Sequence, residues 1–316
     1  MNNNNGQTSF GALLHASFKS EDTEEWLDVH FTRPIGLAFA LLWKRLGVHP
    51  NAITVLSIFL GAAAGYMFYF TDLCHNLTGV ALLMLANFCD STDGQLARLT
   101  GKKTLVGRVL DGFAGDVWFF CIYLALLLRL GRDWEPQLGA WAYVASFALC
   151  AIAGLICHSR QSSLADYYRQ IHLYFLLGRK GSELDNYASQ RAIYEQLPKS
   201  DWLARAFYYN YANYCRSQEQ RTPAFQQFIS KLHGRWAGID DVPQPLRDEF
   251  RRGSLPLMKY TNLLTFNARA ITLYVACCLN VPYVYPFVEI IVFALMYWHM
   301  HRSHEALCRR LTQEMD

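Results

Sequence analysis

Residues 87–116 read NFCDSTDGQLARLTGKKTLVGRVLDGFAGD, and this stretch decides both the fold and the chemistry. It holds four aspartates and two arginines within a chain that is 52% hydrophobic and only 17% charged. Soluble domains usually carry about 25% charged residues. Ionisable residues that are concentrated inside apolar helices indicate a functional site, because burying them in a membrane is costly.

Six stretches around and beyond this segment are long and apolar enough, at about 20 residues each, to cross a bilayer. They lie at 51–70, 76–97, 107–130, 138–158, 261–280 and 283–301. The second and third qualify only if their aspartates are functional exceptions. The sequence therefore predicts an all-α, polytopic membrane protein with about six transmembrane helices.

The basic residues indicate an orientation. They are concentrated in 98–108, in 159–260 and in the C-terminal tail, whereas 71–75 and 281–282 hold none; Arg129 and Arg132 are exceptions. Positively charged loops stay in the cytoplasm. We therefore expect an integral membrane protein with both termini and the aspartate-rich edge facing the cytoplasm, as an even number of spans would allow.

Five segments follow from this pattern. The stretch before the first span mixes apolar and charged residues at helical spacing. This pattern is typical of an amphipathic helix in the membrane interface, and an ordinary loop is the alternative. Periodic aromatic residues between the fourth and fifth spans predict a cytoplasmic helical insertion. The segments are a disordered tail (1–20), the interfacial helix with spans 1–4 (21–158), the insertion (159–260), spans 5–6 (261–301) and a cytoplasmic tail (302–316).

Composition excludes several other classes. The net charge is only +3, which gives no bulk electrostatic case for binding nucleic acid. The nine cysteines lie mostly in apolar runs and include no CxxC pair, so neither a disulfide framework nor a zinc site is expected.

The aspartates are spaced to converge. Residues three or four apart share one face of a helix. The second predicted span thus carries a stripe of Asp90, Asp93, Gly94 and Ala97. The third predicted span carries Gly107 and Asp111 on one face. A short loop makes the two helices antiparallel neighbours, so both stripes can meet at one depth.

These carboxylates need a cation to neutralise them. Arg98 and Arg108 could take a share, but several carboxylates on facing helices favour a divalent ion such as Mg²⁺, Mn²⁺ or Ca²⁺. Two such ions between carboxylates are a common device for phosphoryl transfer. The alternatives are polar contacts between helices or a pathway for cations.

The order Asp90-x-x-Asp93-Gly94-x-x-Ala97-Arg98, then eight residues, then Gly107-x-x-x-Asp111 resembles the motif of the CDP-alcohol phosphotransferases. The stretch 49–54, HPNAIT, is similar to that family's entry into its first helix. The resemblance covers about 30–300, except 159–260.

The resemblance implies a phospholipid-synthesising enzyme, a homodimer among membrane lipids, with two Mg²⁺ or Mn²⁺ ions per active site. A CDP-linked lipid or alcohol would donate its phosphoalcohol group to a small polar alcohol, with release of CMP. The metal ligands would be Asp90, Asp93 and Asp111. The nucleotide would contact Asp93, Gly94, Ala97 and Arg98, with Gly107 giving room for the cytidine.

The chain departs from the family at the fourth aspartate, which should complete the metal site and act as general base. Position 115 is glycine, and the aspartate is Asp116. Five residues turn an ideal helix by about 500°, which leaves Asp116 about 140° away from the face of Asp111. We predict that a π-bulge between Asp111 and Asp116 restores the face, with Asp116 as the base and Asp111 as its catalytic neighbour. A regular helix would leave the base position vacant.

No residue in the sequence identifies the alcohol that accepts the phosphoalcohol group. A phosphorylated acceptor would need cations, and Arg160 and Arg269 are candidates; for each, a salt bridge to an acid or to lipid phosphate is the alternative. The interfacial helix is similar to that of family members that use inositol phosphate, and this similarity favours inositol or inositol phosphate as the acceptor. Glycerol phosphate, serine, ethanolamine, choline or a sphingolipid are other possible acceptors. A cation transporter and an inactive homologue are rival functions; the apolar late spans disfavour the transporter.

Overall fold

A computed structural model describes residues 10–15, 20–102 and 104–315. Within these residues all regular elements are helical, and the predicted all-α class is confirmed. The α-helices are α1 Phe10–His15, α2 Arg33–Arg45, α3 Pro50–Phe68, α4 Leu73–Thr100, α5 Leu105–Leu138, α6 Trp141–Leu177, α7 Tyr187–Gln196, α8 Trp202–Arg221, α9 Pro223–Arg235, α10 Gln244–Ser254, α11 Met258–Leu263, α12 Phe266–Cys278 and α13 Val284–Glu314.

Shorter helical segments complete the chain. Three are π-helical: Asp28–Thr32 leads into α2, Ile152–His158 lies inside α6 and Glu289–Phe293 lies inside α13. Three more are single 3₁₀ turns, at Arg179–Gly181, Ile239–Asp241 and Leu255–Leu257. The predicted disordered tail, 1–20, lies outside the described residues except for 10–15 and Ser20, and Phe10–His15 is helical.

Five helices of the described part of the chain are long and apolar enough to cross a membrane, namely α3, α4, α5, α6 and α13. They correspond to the first four predicted spans and to the sixth. The aspartate-bearing helices α4 and α5 are among them, which agrees with the treatment of their carboxylates as exceptions within true spans.

The fifth predicted span, 261–280, differs from the prediction. It is divided between α11 and α12 by a break at Leu264 and Thr265. α12 has 13 residues. A helix of that length rises about 20 Å, less than the hydrocarbon core of about 30 Å. The even number of spans that supported termini on one side is therefore lost, and the orientation stays a prediction.

The helices belong to two compact units. The first consists of the described residues of Met1–Phe147 with Cys277–Val281, and the second of Ala148–Ala276 with the described residues of Pro282–Asp316. The first unit contains the whole aspartate motif, and the second contains the whole of the predicted insertion, 159–260.

Glycines allow α3, α4 and α5 of the first unit to approach closely. A Cβ added to Gly61 would lie 2.0 Å from the Trp118 ring, and one on Gly65 would lie 2.8 Å from the Cys121 backbone. Gly79 of α4 faces the Phe68 ring at 2.9 Å in the same way. Small residues four apart are typical of tightly packed membrane helices. Larger side chains at these positions would push the three helices apart.

A buried arginine links the other ends of the same helices. Arg129 of α5 has no exposed surface, and its guanidinium donates to the Phe68 carbonyl at 2.9 Å and to Asn76 Oδ1 at 3.0 Å. It also donates to Asn280 Oδ1 at 2.7 Å. This arginine, an exception to the charge pattern, is therefore explained by internal hydrogen bonds rather than by a cytoplasmic loop.

The predicted interfacial helix is helical and packs against α4. Gly36 of α2 faces Ser91 and Gln95, and a Cβ at Gly36 would lie 2.6 Å from Ser91 Oγ. Gln95 Nε2 donates to the Arg33 carbonyl at 3.1 Å. The helix also exposes large apolar side chains, which is what an interfacial location requires. They are Phe31, Phe39, Leu42 and Leu46.

An aromatic core holds the second unit together. Phe175 of α6 stacks on Phe250 of α10 with 3.9 Å between ring centroids, and on Phe228 of α9 with 5.7 Å. Met300 and Leu311 of α13 belong to the same buried cluster. The predicted insertion is thus helical and shares its core with the last helix.

We expect Arg129→Met to lower the free energy of unfolding by about 3 kcal/mol, because two buried acceptors and the Asn280 side-chain carbonyl would each lose a charged donor. Thermal unfolding of the purified protein in detergent measures this. Arg132→Met is the matched control, because its side chain is 37% exposed and its ion pair with Asp133 lies at the surface. Equal losses for both variants would contradict the assigned role of Arg129.

Candidate active site

Local caps end α4 and begin α5. Gly101 ends α4 with φ +67°, a left-handed conformation that favours glycine, and its N–H donates to the Arg98 carbonyl. Thr104 caps the start of α5, where its hydroxyl accepts from the Gly107 N–H at 2.9 Å. Both helices pack against α3, and side chains from both meet at the aspartate motif.

Three aspartates from α4 and α5 converge. Asp90 and Asp93 from α4 and Asp111 from α5 each present a carboxylate oxygen, and these oxygens all lie within 4.8 Å of one another. Asp93 is buried, Asp90 is half-buried and Asp111 is exposed. The cluster therefore extends from the buried side of α4 to an exposed surface.

Electrostatics make the bare cluster unfavourable. Two unit charges 4.8 Å apart repel by about 3 kcal/mol at an effective dielectric constant of about 20. A hydrogen bond from α3 partly offsets this cost at Asp93. The Thr54 hydroxyl donates to Asp93 Oδ2 at 2.5 Å, and both residues are buried. Thr54 was not predicted as a site residue, although it lies in the quoted stretch 49–54.

The small residues of the motif lie beside the cluster. A Cβ on Gly94 would meet only Arg98 Nη1, at 3.6 Å, so the space next to it is open. A Cβ on Gly107 would lie 2.9 Å from Asn51 Oδ1. Ala97 is half-buried and Arg98 is exposed on the same helix. The predicted nucleotide-contacting residues thus lie on the two helices that carry the aspartates.

Asp116 does not join the cluster, and the predicted bulge is wrong. α5 is an uninterrupted α-helix over Leu105–Leu138, with no π-helical turn between Asp111 and Asp116. Asp116 is exposed and about 140° around the helix from Asp111. Glycines at 112 and 115 permit an irregular backbone but do not require one. A regular helix keeps all its backbone hydrogen bonds, which an apolar environment favours.

The residues present suit a divalent ion. The three carboxylates form an all-oxygen donor set, which hard cations such as Mg²⁺ and Mn²⁺ prefer. A divalent cation would also neutralise the repulsion between them. The open space beside Gly94 leaves room for a ligand that the ion could contact.

Comparison with known proteins agrees with this site. A family model described as CDP-alcohol phosphatidyltransferase matches 47–173, a range that includes the whole aspartate motif. Residues 47–173 are therefore similar to the CDP-alcohol phosphatidyltransferase family. The predicted resemblance is therefore confirmed for this segment, and the aspartate cluster lies within it.

Two curated relatives are similar to part of this chain. One, from Pyrococcus horikoshii, is named archaetidylinositol phosphate synthase; it is 38% identical over 109 residues, which cover 33% of this chain and 55% of the relative. The other, from Aquifex aeolicus, is named bifunctional IPC transferase and DIPP synthase; it is 26% identical over 136 residues, which cover 43% of this chain and 30% of the relative. The chain thus spans about a third to a half of these relatives.

The two candidate acceptor residues lie in the second unit and differ in environment. Arg160 is exposed on α6. Arg269 of α12 is fully buried, forms an ion pair with Glu289 and donates to Gln161 Oε1 at 3.0 Å. Its guanidinium also donates to the Leu264 carbonyl at 3.1 Å. Arg269 therefore has the salt bridge that was its alternative explanation.

We expect Arg269→Met to destabilise the protein by about 4 kcal/mol, because it leaves the Glu289 carboxylate buried without its charge partner. The double variant Arg269→Met/Glu289→Met should recover most of the loss, since replacing both partners by apolar residues is often nearly neutral. Thermal unfolding in detergent measures both. A stable Arg269→Met with a selective loss of acceptor binding would instead support the acceptor role.

Proposed function

We propose that this chain is an integral-membrane phosphotransferase of phospholipid synthesis. It would move a phosphoalcohol group, such as a phosphatidyl group, from a CDP-linked donor to an acceptor hydroxyl and release CMP. The observation that carries the proposal is the convergence of three carboxylates from two antiparallel helices within 4.8 Å, inside the segment that the family model matches.

The roles of the motif residues follow from their positions. Asp90, Asp93 and Asp111 would hold two divalent ions, Mg²⁺ or Mn²⁺. When bound, such ions neutralise charge on the pyrophosphate and act as Lewis acids. Arg98, exposed next to the open space at Gly94, would contact the nucleotide phosphates. Asp93, Gly94, Ala97 and Gly107 complete the proposed nucleotide site.

The reaction needs a group that accepts a proton. The acceptor oxygen forms a bond to the phosphorus that carries the alcohol, the bond from that phosphorus to CMP breaks, and the hydroxyl proton moves to a carboxylate. Of the two predicted catalytic residues, Asp111 belongs to the cluster and Asp116 does not. We therefore assign proton acceptance to Asp111, the exposed member of the cluster.

The acceptor that we favour is inositol or inositol phosphate. The name of the Pyrococcus horikoshii relative, archaetidylinositol phosphate synthase, supports this choice. Arg160, exposed on α6, is the remaining candidate for binding an acceptor phosphate, because Arg269 is occupied by Glu289. Glycerol phosphate, serine, ethanolamine, choline and sphingolipids are the alternatives to include in assays.

The cellular arrangement is also a proposal. We place the active site and both termini on the cytoplasmic side, because basic residues are concentrated in 98–108 and in the tail. We further propose a homodimer, as the family resemblance implies. Insertion of a tag at each terminus, followed by protease accessibility in sealed vesicles, would test the orientation.

We expect the purified chain to release CMP from CDP-linked lipids only when Mg²⁺ or Mn²⁺ and the correct acceptor are present. Asp93→Asn should reduce the rate at least about 100-fold, because the lost metal contact is equivalent to several kcal/mol of transition-state stabilisation. Asp248→Asn, an exposed aspartate on α10, is the matched control and should leave the rate unchanged.

Panels of donors and acceptors make this assay decisive. Turnover with inositol phosphate but not with inositol would assign the acceptor. In that case we expect Arg160→Met to raise the KM for inositol phosphate. No turnover with any pair, in protein that is folded and binds Mn²⁺, would favour an inactive homologue. Metal-dependent cation flux in vesicles without CMP release would favour the transporter.

We expect Asp116→Asn to keep at least about a third of the wild-type rate, because its side chain lies about 140° from the clustered face. Asp111→Asn should abolish turnover, so the pair separates the clustered position from the displaced one. The same CMP-release assay measures both. A loss with Asp116→Asn as large as that with Asp111→Asn would return the base role to Asp116.

A further inference from the structure

The contact between Thr54 and Asp93 joins a residue without an assigned role to the centre of the aspartate cluster. Thr54 lies on α3, whereas all three clustered aspartates lie on α4 and α5. We propose that Thr54 is a positioning residue that orients Asp93 for metal binding. This inference rests on the proposed metal-binding function.

The hydroxyl of Thr54 has one proton and two neighbouring acceptors. Asp93 Oδ2 lies at 2.5 Å and the Pro50 carbonyl at 3.3 Å. Hydrogen bonds from a hydroxyl to a carboxylate are charge-assisted and short, at about 2.5–2.7 Å. The proton is therefore donated to Asp93, and the contact with Pro50 is the weaker one.

The surroundings fix the direction of this bond. Thr54 is a β-branched residue with few allowed rotamers, and it is 3% exposed. The buried Ser57 hydroxyl donates to the Thr54 carbonyl at 2.7 Å, one turn further along α3. The glycines at 61 and 65 hold α3 against α5. The donor thus reaches Asp93 from a rigid helix.

The hydrogen bond from Thr54 also reduces the energetic cost of burying the Asp93 carboxylate. A carboxylate that is 4% exposed loses most of its hydration and needs donors within the protein. A hydrogen bond to one oxygen orients the carboxyl group and leaves the other oxygen available to a ligand. Partners of this kind, which contact a metal ligand rather than the metal, commonly change metal affinity about 10–100-fold when they are removed.

The test measures Mn²⁺ binding to the purified full chain without substrate, from the electron paramagnetic resonance signal of unbound Mn²⁺. Thr54→Val removes the hydroxyl and keeps the shape, and Thr54→Ala is a second variant without a hydroxyl in case the first fails to fold. Thr54→Ser keeps the donor. Ser57→Ala removes a buried hydroxyl from the same helix that does not contact Asp93.

We expect Thr54→Val and Thr54→Ala to weaken Mn²⁺ binding about tenfold or more, while Thr54→Ser and Ser57→Ala bind like the wild type. In an Asp93→Asn background, Thr54→Val should cause no further loss, because its effect acts through Asp93. Binding by Thr54→Val that equals the wild type, or an undiminished effect in the Asp93→Asn background, would overturn the positioning role.

The same measurement separates this inference from the proposed function. Weakened Mn²⁺ binding in Thr54→Val together with no CMP release from any donor by the wild type supports the positioning role and overturns the phosphotransferase. CMP release with Mn²⁺ binding that does not depend on Thr54 does the reverse. A wild-type chain that binds no Mn²⁺ overturns both.

Discussion

The arrangement of the first unit depends on one constraint: a carboxylate can be buried between apolar helices only if something close by neutralises or hydrogen-bonds it. Asp93 meets that condition through a hydroxyl from a third helix and through its place in a cluster that suits a divalent ion. The close packing of α3, α4 and α5, which their glycines permit, makes both arrangements possible. The helix packing in this unit therefore also determines how Asp93 is stabilised.

Two other buried charges show the contrasting solution. Arg129 and Arg269 are enclosed, and the donors of each guanidinium reach acceptors within the same unit. Neither arrangement is open to a soluble ligand, whereas the aspartate cluster extends to the exposed Asp111. The distinction between a structural and a functional buried charge is thus physical. An enclosed guanidinium that is hydrogen-bonded within its unit stabilises the fold, whereas a carboxylate cluster that reaches the exposed surface suits an ion.

The sequence predicted the elements whose signals are local. Hydropathy located the long helices, and the three-residue spacing of Asp90 and Asp93 placed them on one face, where they meet Asp111. It did not predict the partner of Arg269, because Glu289 lies in another helix, 20 residues away along the chain. Thr54 was missed for the same reason, because its partner Asp93 lies in another helix, 39 residues away along the chain. Only the packing of α3 against α4 brings the two side chains together. The short α12 was predicted as a span because composition does not reveal a break in a helix.

The displaced aspartate shows where a family motif and the backbone disagree. A π-bulge in α5 would bring Asp116 to the clustered face, but it would also disturb backbone hydrogen bonds in an apolar environment. The chain does contain π-helical turns elsewhere, at Asp28–Thr32, Ile152–His158 and Glu289–Phe293. At Gly115 no atom lies within 4 Å of where a Cβ would be, and no packing there compels a bulge. The chain therefore has open space at the position where the family motif has its fourth acid, and the proposed chemistry is assigned to the three carboxylates that do converge.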